Sequence, residues 1–384
     1  MQERPVLKVV LQVLYWTVPA FLTFMLLKFF VVGAEKPSTA WILAFMGLFI
    51  LFYVPKLILV AFNGISDLIK VSEWIWFKTL GDKTTSDGFL ITRKEFLRIA
   101  GTIIAAVPFF SILYGIMFGR YDYKIEKKAI KSPKLGNATP IKVVQISDAH
   151  LGSFLENKTP VLKAIEAINS LEADVVVFTG DLVNDLAEEA EPWIAEFKSI
   201  KAKYGKFSTL GNHDYGDYYK WPSDEAKKAN LDRLKQIHAE MGFDLLLNDS
   251  RILNINGQEI DLAGVENWGL PPFPQHGKID LALEGRDINR FGILLSHDPT
   301  HFDEEVVKHP KQPDITLAGH THGMQFGLLF GNFKWSPVQY RYKKWAGMYQ
   351  TKEQQLYVNR GFGYIGFPGR VGMPPEITLF ELSA

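Results

Sequence analysis

Five short motifs carry the chemistry legible in this chain: Asp148-Ala149-His150, Gly180-Asp181, Gly211-Asn212-His213-Asp214, Ser296-His297 and Gly319-His320-Thr321-His322-Gly323. Each follows a β-branched or leucine-rich run that reads as a buried strand. Two divalent cations about 3.5 to 4 Å apart can hold a phosphoryl group and acidify a water at neutral pH; they need a bridging carboxylate and several neutral imidazoles or amides. The motifs supply that inventory. On extended segments the period of two points His320 and His322 to one side, and Asp148 and His150 likewise. Singly, Asp-x-His and Gly-Asp are commonplace; together, in order and at strand ends, they point to a metal-dependent phosphoester hydrolase. His238, His276, His301 and His309 stand in helical or loop contexts without partners and receive no role.

The elements that must position these residues alternate. Ile141 to Ser147, Val175 to Thr179 and Lys206 to Leu210 read as strands, separated by helical patterns at Thr159 to Ser170 and Glu188 to Ala202, with another at Asp224 to Met241. Such alternation argues for right-handed β-α-β crossovers with ligands at the carboxyl ends of the strands. From Asp244 onward, Asp244 to Leu247, Arg251 to Ile255 and Ile260 to Val265 form a hairpin-like group around Asn248-Asp249 and Asn256-Gly257. Phe291 to Ser296, Ile315 to Ala318, Gln355 to Asn359 and Glu376 to Leu382 complete the strands. The expected fold is α/β, a four-layer αββα sandwich of two packed mixed sheets over residues 141–384, preceded by an all-α transmembrane region of about three helices.

The apolar excess of the 384-residue chain sits at its N-terminus, so residues 1–120 read as membrane. Val9 to Leu27 contains no charge and nearly spans a hydrocarbon core of about 30 Å as a helix. Ala40 to Pro55 continues through Leu57 to Ile65, with Lys56 able to snorkel, and Ile99 to Gly119 is uncharged between Arg98 and Arg120. The expected helices cover about 7–32, 40–62 and 99–119. A cleaved signal peptide ending near Gly33-Ala34-Glu35 is the alternative for the first. Trp74, Trp76 and Phe77 among Lys70, Glu73 and Lys78 suit a helix lying at the interface, or a loop with scattered aromatics.

Cations flanking the apolar segments are nearly balanced, but Thr92-Arg93-Lys94-Glu95-Phe96-Leu97-Arg98 resembles a twin-arginine export signal with lysine in place of the second arginine. The expected topology is N-in and C-out in the cytoplasmic membrane, with the catalytic domain on the outer side. Residues 121–140, with Pro133, Gly136 and Asn137 among lysines, read as a polar tether. Net charge is zero and cysteine is absent, which excludes an overall basic field, disulfides and thiolate ligands.

On these motifs residues 141–384 resemble the calcineurin-like metallophosphoesterase family. Gly264-Val265-Glu266, Asn359-Arg360-Gly361 and Pro374-Pro375-Glu376-Ile377 are similar to its bacterial membrane-associated branch. The resemblance implies that Asp148, His150 and His322 bind one metal, that Asp181 bridges, and that Asn212, His297 and His320 complete the second. His213 would serve beside the leaving-group oxygen, as general acid or as a cationic stabiliser. Two positions depart from the family pattern. Asn184 stands where an Asp orients the catalytic histidine, and Met324 where a glycine is common. With oxygen and nitrogen donors alone, manganese is the expected ion, with iron and zinc admissible.

Aromatic loops at Trp268 to Phe273 and Phe330 to Trp335, with Arg341, Arg360 and Arg370, suit a phosphodiester or pyrophosphate substrate carried on a lipid or nucleotide-linked lipid; ordinary loop packing is the plainer reading. No basic stripe interleaved with aromatics marks a nucleic-acid phosphodiesterase, and no obligate protein partner is expected. A membrane sensor or scaffold with a binding-only domain is the rival from another class; it would be favoured by lost ligands, and all seven are present.

Overall fold

Both faces of the valine- and isoleucine-rich strands must be covered, and the computed structural model, which describes residues 5–31, 38–80, 93–136, 140–331 and 333–384, covers them with a second sheet on one side and helices on the other. One six-stranded sheet contains β2 (Ile141–Ile146), β3 (Val175–Thr179), β4 (Lys206–Thr209) and β5 (Phe243–Leu245) in parallel, with β14 (Glu376–Ser383) antiparallel to β2 and β1 (Lys124–Lys131) beyond it. The other runs β12 (Gly347–Thr351), β13 (Gln354–Val358), β9 (Ile315–Ala318), β8 (Phe291–Leu295), β7 (Gln258–Gly264) and β6 (Asp249–Ile255). A separate ribbon pairs β10 (Leu328–Phe330) with β11 (Phe333–Trp335).

The period of two sorts side chains between layers. Val143, Val175 and Val177 point into the core between the sheets, where they meet Leu262, Ile293 and Leu317. Val144, Val176 and Phe178 point outward to Val161, Ile165 and Ile168 of α4 (Lys158–Ser170) and to Leu234 and Ile237 of α6 (Asp224–Glu240). On the far side Ala263, Leu294 and Val358 pack against Ile279, Leu283, Phe302 and Val306. This is the expected αββα sandwich.

Four details differ from the expectation. The Glu188 to Ala202 helix is broken into short turns and α5 (Ile194–Lys198), because Pro192 cannot donate its backbone hydrogen bond and disfavours helical geometry at Glu191. β5 does not join the β6–β7 hairpin but closes the other sheet beside β4. β10, β11 and β12 were not foreseen. The supposed tether of residues 121–140 contains β1, paired in parallel with β14 from Lys124↔Glu376 to Lys131↔Ser383. It reads as a tether because an edge strand shows one face to water, and lysines there block edge-to-edge pairing.

The N-terminal helices are α1 (Pro5–Val31), α2 (Thr39–Leu80) and α3 (Arg93–Met117); α1, α2 from Ala44 onward and α3 fall in one compact unit, and Ser38–Leu43 groups with Phe118–Ala384 in the other. Among the described residues Thr39–Trp76 and Glu95–Tyr121 are long and apolar enough to cross a membrane. α1, at 27 residues, is also long enough to span a hydrocarbon core of about 30 Å. The expected end of the second helix near residue 62 is corrected to Leu80: Trp74 and Trp76 lie on a continuation of α2 rather than on a separate interfacial helix. The Gly33-Ala34-Glu35 cleavage motif, the Thr92 start of the export-like segment and the Asn137 end of the tether lie outside the described residues.

Candidate metal centre

Buried strands end in loops whose backbone turns back on itself. Asp148, His150, Asp181, His320 and His322 all hold positive φ, between 45° and 71°, a conformation costly for side chains with a Cβ and tolerated where surroundings over-determine it. Much of that determination is one carboxylate. Asp214, fully buried, accepts from the backbone N–H groups of Asp181 (2.9 Å), Leu182 (2.8 Å) and Gly211 (2.8 Å), tying the ends of β3 and β4 together. Asp148 similarly accepts from the N–H of His320 at 2.8 Å, joining the two sheets. Gly211 passes so close to Asp181 that a Cβ there would overlap its carboxylate.

Two ligand groups result. Asp148, His150 and His322 form one, and Asp181, His297 and His320 the other, with the donor atoms of each group within 4.8 Å of one another. In the first, His150 Nε2 lies 3.0 Å from His322 Nε2, and His322 Nε2 lies 3.3 Å from Asp148 Oδ1. In the second, His297 Nε2 lies 3.1 Å from Asp181 Oδ2 and 3.3 Å from His320 Nδ1, and Asn212 Oδ1 lies 2.8 Å from the same Nδ1. Asp181 Oδ2 also stands 3.6 Å from His150 Nε2, so one carboxylate oxygen faces both groups. Donors about 2.1 Å from a shared ion sit about 3 to 4 Å apart, so the donor set and spacings fit two divalent cations.

Electrostatics agree for most donors. Burial pushes His150 down to about 3 and His320 down to about 4, and holds His322 well below the usual range, leaving these imidazoles neutral with lone pairs to give. His150 Nδ1 faces the Val183 carbonyl at 3.2 Å, which puts its hydrogen there and its lone pair on Nε2. His297 behaves oppositely. Burial would lower it, but the Asp181 carboxylate overrides this and raises it to about 10; a cation entering between them replaces that proton. Asp181 is held well below the usual carboxylate range although burial opposes this, because His297 and His213 surround it.

His213 lies at the mouth, its ring 5.0 Å from that of His150 and 4.6 Å from that of Tyr218. Its N–H donates to Asp181 Oδ1 at 2.9 Å, and its Nδ1 donates to the backbone carbonyl of Asn184 at 2.7 Å. The Asn184 side chain instead accepts from Ser153 Oγ at 3.3 Å, so the departure from aspartate leaves the orientation of His213 to the main chain. Met324 occupies a left-handed position, φ 54°, where glycine is the easier residue, and its side chain is exposed.

All eight predicted site residues therefore converge. Several neighbours were not foreseen. Asp214 belonged to a quoted motif without a role. Asp298 is buried with Oδ2 3.5 Å from His320 Nε2, the place of a carboxylate that orients a metal-bound imidazole, and Tyr342 OH lies 2.7 Å from the same nitrogen. Phe273 meets the His320 ring edge-on at 4.6 Å. Adjacency to His297 was the only signal for Asp298; nothing local marks Tyr342 or Phe273. The arginines expected to meet substrate are corrected in part. Arg360 is buried and paired with Glu376 and Glu126, and Arg370 is buried against the carbonyls of Gly363 and Gly361, with Nη2 3.1 Å from His322 Nδ1. Arg341 stays exposed. Of the histidines given no role, His238 and His301 are buried on Ser208 and Ser296.

Comparison with known proteins matches residues 141–324 to the calcineurin-like phosphoesterase model, and residues 4–120 to one described as "Probable Calcineurin-like phosphoesterase, transmembrane domain". The uncharacterized metallophosphoesterase YkuE of Bacillus subtilis is 32% identical over 77% of this chain and 98% of its own. An uncharacterized metallophosphoesterase of Helicobacter pylori strain J99 is 30% identical over 75% of this chain and 71% of its own. A zebrafish (Danio rerio) transmembrane protein with metallophosphoesterase domain is 28% identical over 74% and 62%.

Proposed function

Because the chain belongs to the calcineurin-like phosphoesterase family, we propose that it is a membrane-anchored, dinuclear-metal hydrolase of a phosphodiester or pyrophosphate bond. The observation that carries this is the single oxygen of Asp181 facing both His150 and His297. Asp148, His150 and His322 would hold one cation, Asn212, His297 and His320 the other, and Asp181 both; manganese is the ion we favour, with iron or zinc compatible with the donors. Two such cations supply Lewis acidity toward the phosphoryl oxygens and an acidified water.

The remaining work falls to the chain. With its Nδ1 hydrogen committed to the Asn184 carbonyl, His213 has Nε2 left as the nitrogen that, when protonated, would give a proton to the departing oxygen or stabilise charge developing there. Asp214 holds the Asp181 and Gly211 backbones still, and burial of the ligands keeps bulk water from competing. We take the substrate to be lipid-borne, because the catalytic unit carries exposed apolar groups beside the site and follows, along the chain, helices long and apolar enough to cross a membrane. With the flanking charges nearly balanced, the arginine-lysine segment is what favours a C-out topology in the cytoplasmic membrane. A reporter fused after Ala384 that is active only in the cytoplasm would reverse that orientation.

The decisive experiment couples metal analysis of the full chain to hydrolysis of monoester, diester and pyrophosphate panels, soluble and lipid-borne. Asp181→Asn is expected to drop bound metal from two ions toward one or none and to lower hydrolysis by about a thousandfold or more. An active variant with full metal content would refute the bridging role. A wild-type chain that binds metal but turns over no panel member would favour the sensor reading.

A further inference from the structure

The ribbon β10–β11 grows directly from the candidate metal centre. Its first strand starts six residues after His322, its base is tied by the Gly327 N–H to the Val371 carbonyl (2.9 Å), and Ser336 Oγ closes it by donating to the Gly323 carbonyl (2.8 Å). Successive strand residues point to opposite faces, yet Leu328 (59% exposed), Leu329 (36%) and Phe330 (84%) are all open, and Phe333 (58%) stands opposite Phe330. Met324, two residues after His322, adds another exposed apolar side chain at 58%. Elsewhere in the residues from Phe118 onward exposed large apolar side chains are scattered singly, which is ordinary; five of them within ten residues are not.

We propose that this ribbon is a wedge that enters the apolar edge of a lipid bilayer and seats the metal centre against phosphates at the headgroup level. The proposal rests on the phosphoesterase reading and assigns its substrate surface. Two observations select lipid over a protein partner, for a ribbon whose register gathers Leu328, Phe330 and Phe333 on one face and sets Leu329 opposite Lys334 on the other. Its apolar tip is backed by the exposed cations Arg341 and Lys343 in the next loop, the order that matches hydrocarbon below and anionic headgroups above, while Lys334 is half-buried on the Ala346 carbonyl and the Tyr349 hydroxyl. Only residues 118–123 separate α3 from β1, so this unit belongs to a chain whose own helices are long and apolar enough to cross a bilayer.

The absence of cysteine makes the test direct. Full-length Phe330→Cys, spin-labelled and reconstituted in phosphatidylcholine–phosphatidylglycerol nanodiscs, should be more accessible to oxygen than to a water-soluble nickel chelate. A label at Ile252→Cys, exposed on β6, should show the reverse. A water-like signal at both positions overturns the proposal, and so does a label at 330 shielded from both reagents, which would reveal a protein partner or a second copy. In a second arm the Leu329→Ser/Phe330→Ser double variant should hydrolyse a soluble diester within about twofold of wild type and lose about tenfold or more on a phospholipid in vesicles. Equal retention on both substrates counts against the wedge. A wild-type chain inert toward every phosphoester would sink the enzyme reading while leaving the answer of the spin label intact.

Discussion

At the scale of single residues, this centre is held by groups that never touch the reacting atoms. Asp214 accepts from four buried N–H groups, those of Asp181, Leu182, Gly211 and, at 3.4 Å, Val183, so Asp214→Ala orphans them; at about 1 to 3 kcal/mol for each unsatisfied buried group, a loss of about 3 kcal/mol or more is expected in denaturant unfolding. A midpoint unchanged from wild type would contradict this. Glu189 accepts from the N–H groups of Asn184 (2.7 Å) and Leu186 (3.3 Å), and so shapes the loop whose carbonyl orients His213. Burial raises Glu189 to about 7 from an ordinary 4.5. The folded state therefore holds that proton more tightly than the unfolded chain. Stability contributed by the neutral acid is present below about pH 4.5 and is lost as pH rises to about 7, by up to about 3 kcal/mol. Glu189→Gln, neutral throughout, should flatten that part of the stability profile; parallel profiles between pH 5 and 8 would show that Glu189 does not titrate there.

At the scale of elements, the lesson lies in where strands end. β2, β3, β4, β8 and β9 were readable because their apolar runs stop abruptly at polar motifs, and every predicted ligand lies at such a stop. β1, β10, β11 and β12 were not readable: one is a lysine-rich edge, two form an exposed ribbon, and β12 lies at a sheet edge with mixed polarity. The strand-end loops are packed backbone to backbone. Gly363, whose N–H donates to the Asp148 carbonyl at 2.8 Å, passes so close to the Ala149 carbonyl that an added Cβ would collide with main chain. Gly363→Ala should therefore weaken metal affinity and lower the melting temperature, since Asp148 and His150 flank Ala149. A variant with both unchanged would mean the loop yields more easily than its packing suggests.

At the scale of the whole molecule, the catalytic unit begins earlier than its family motifs. β1 completes the first sheet through eight register pairs with β14, and its Glu126 pairs with buried Arg360, whose other partner is Glu376. Removing β1 strips Arg360 of one countercharge and exposes the edge of β14. A fragment starting at Ile141 should thus be less stable than one starting at Phe118, by several degrees in melting temperature, and more prone to aggregate. Equal melting of the two would assign β1 no structural weight.

The sequence by itself determined the αββα class and the membrane helices and singled out eight candidate site residues, because strand periodicity, apolar length and ligand chemistry are local properties written in neighbouring residues. Only the tertiary structure decided that Asp181 faces both ligand groups, that a main-chain carbonyl rather than the Asn184 side chain steers His213, that Arg360 and Arg370 are buried structural cations, and that four exposed apolar side chains gather on one ribbon. Each of these depends on which distant segments meet, and on left-handed backbone turns that packing imposes against local preference.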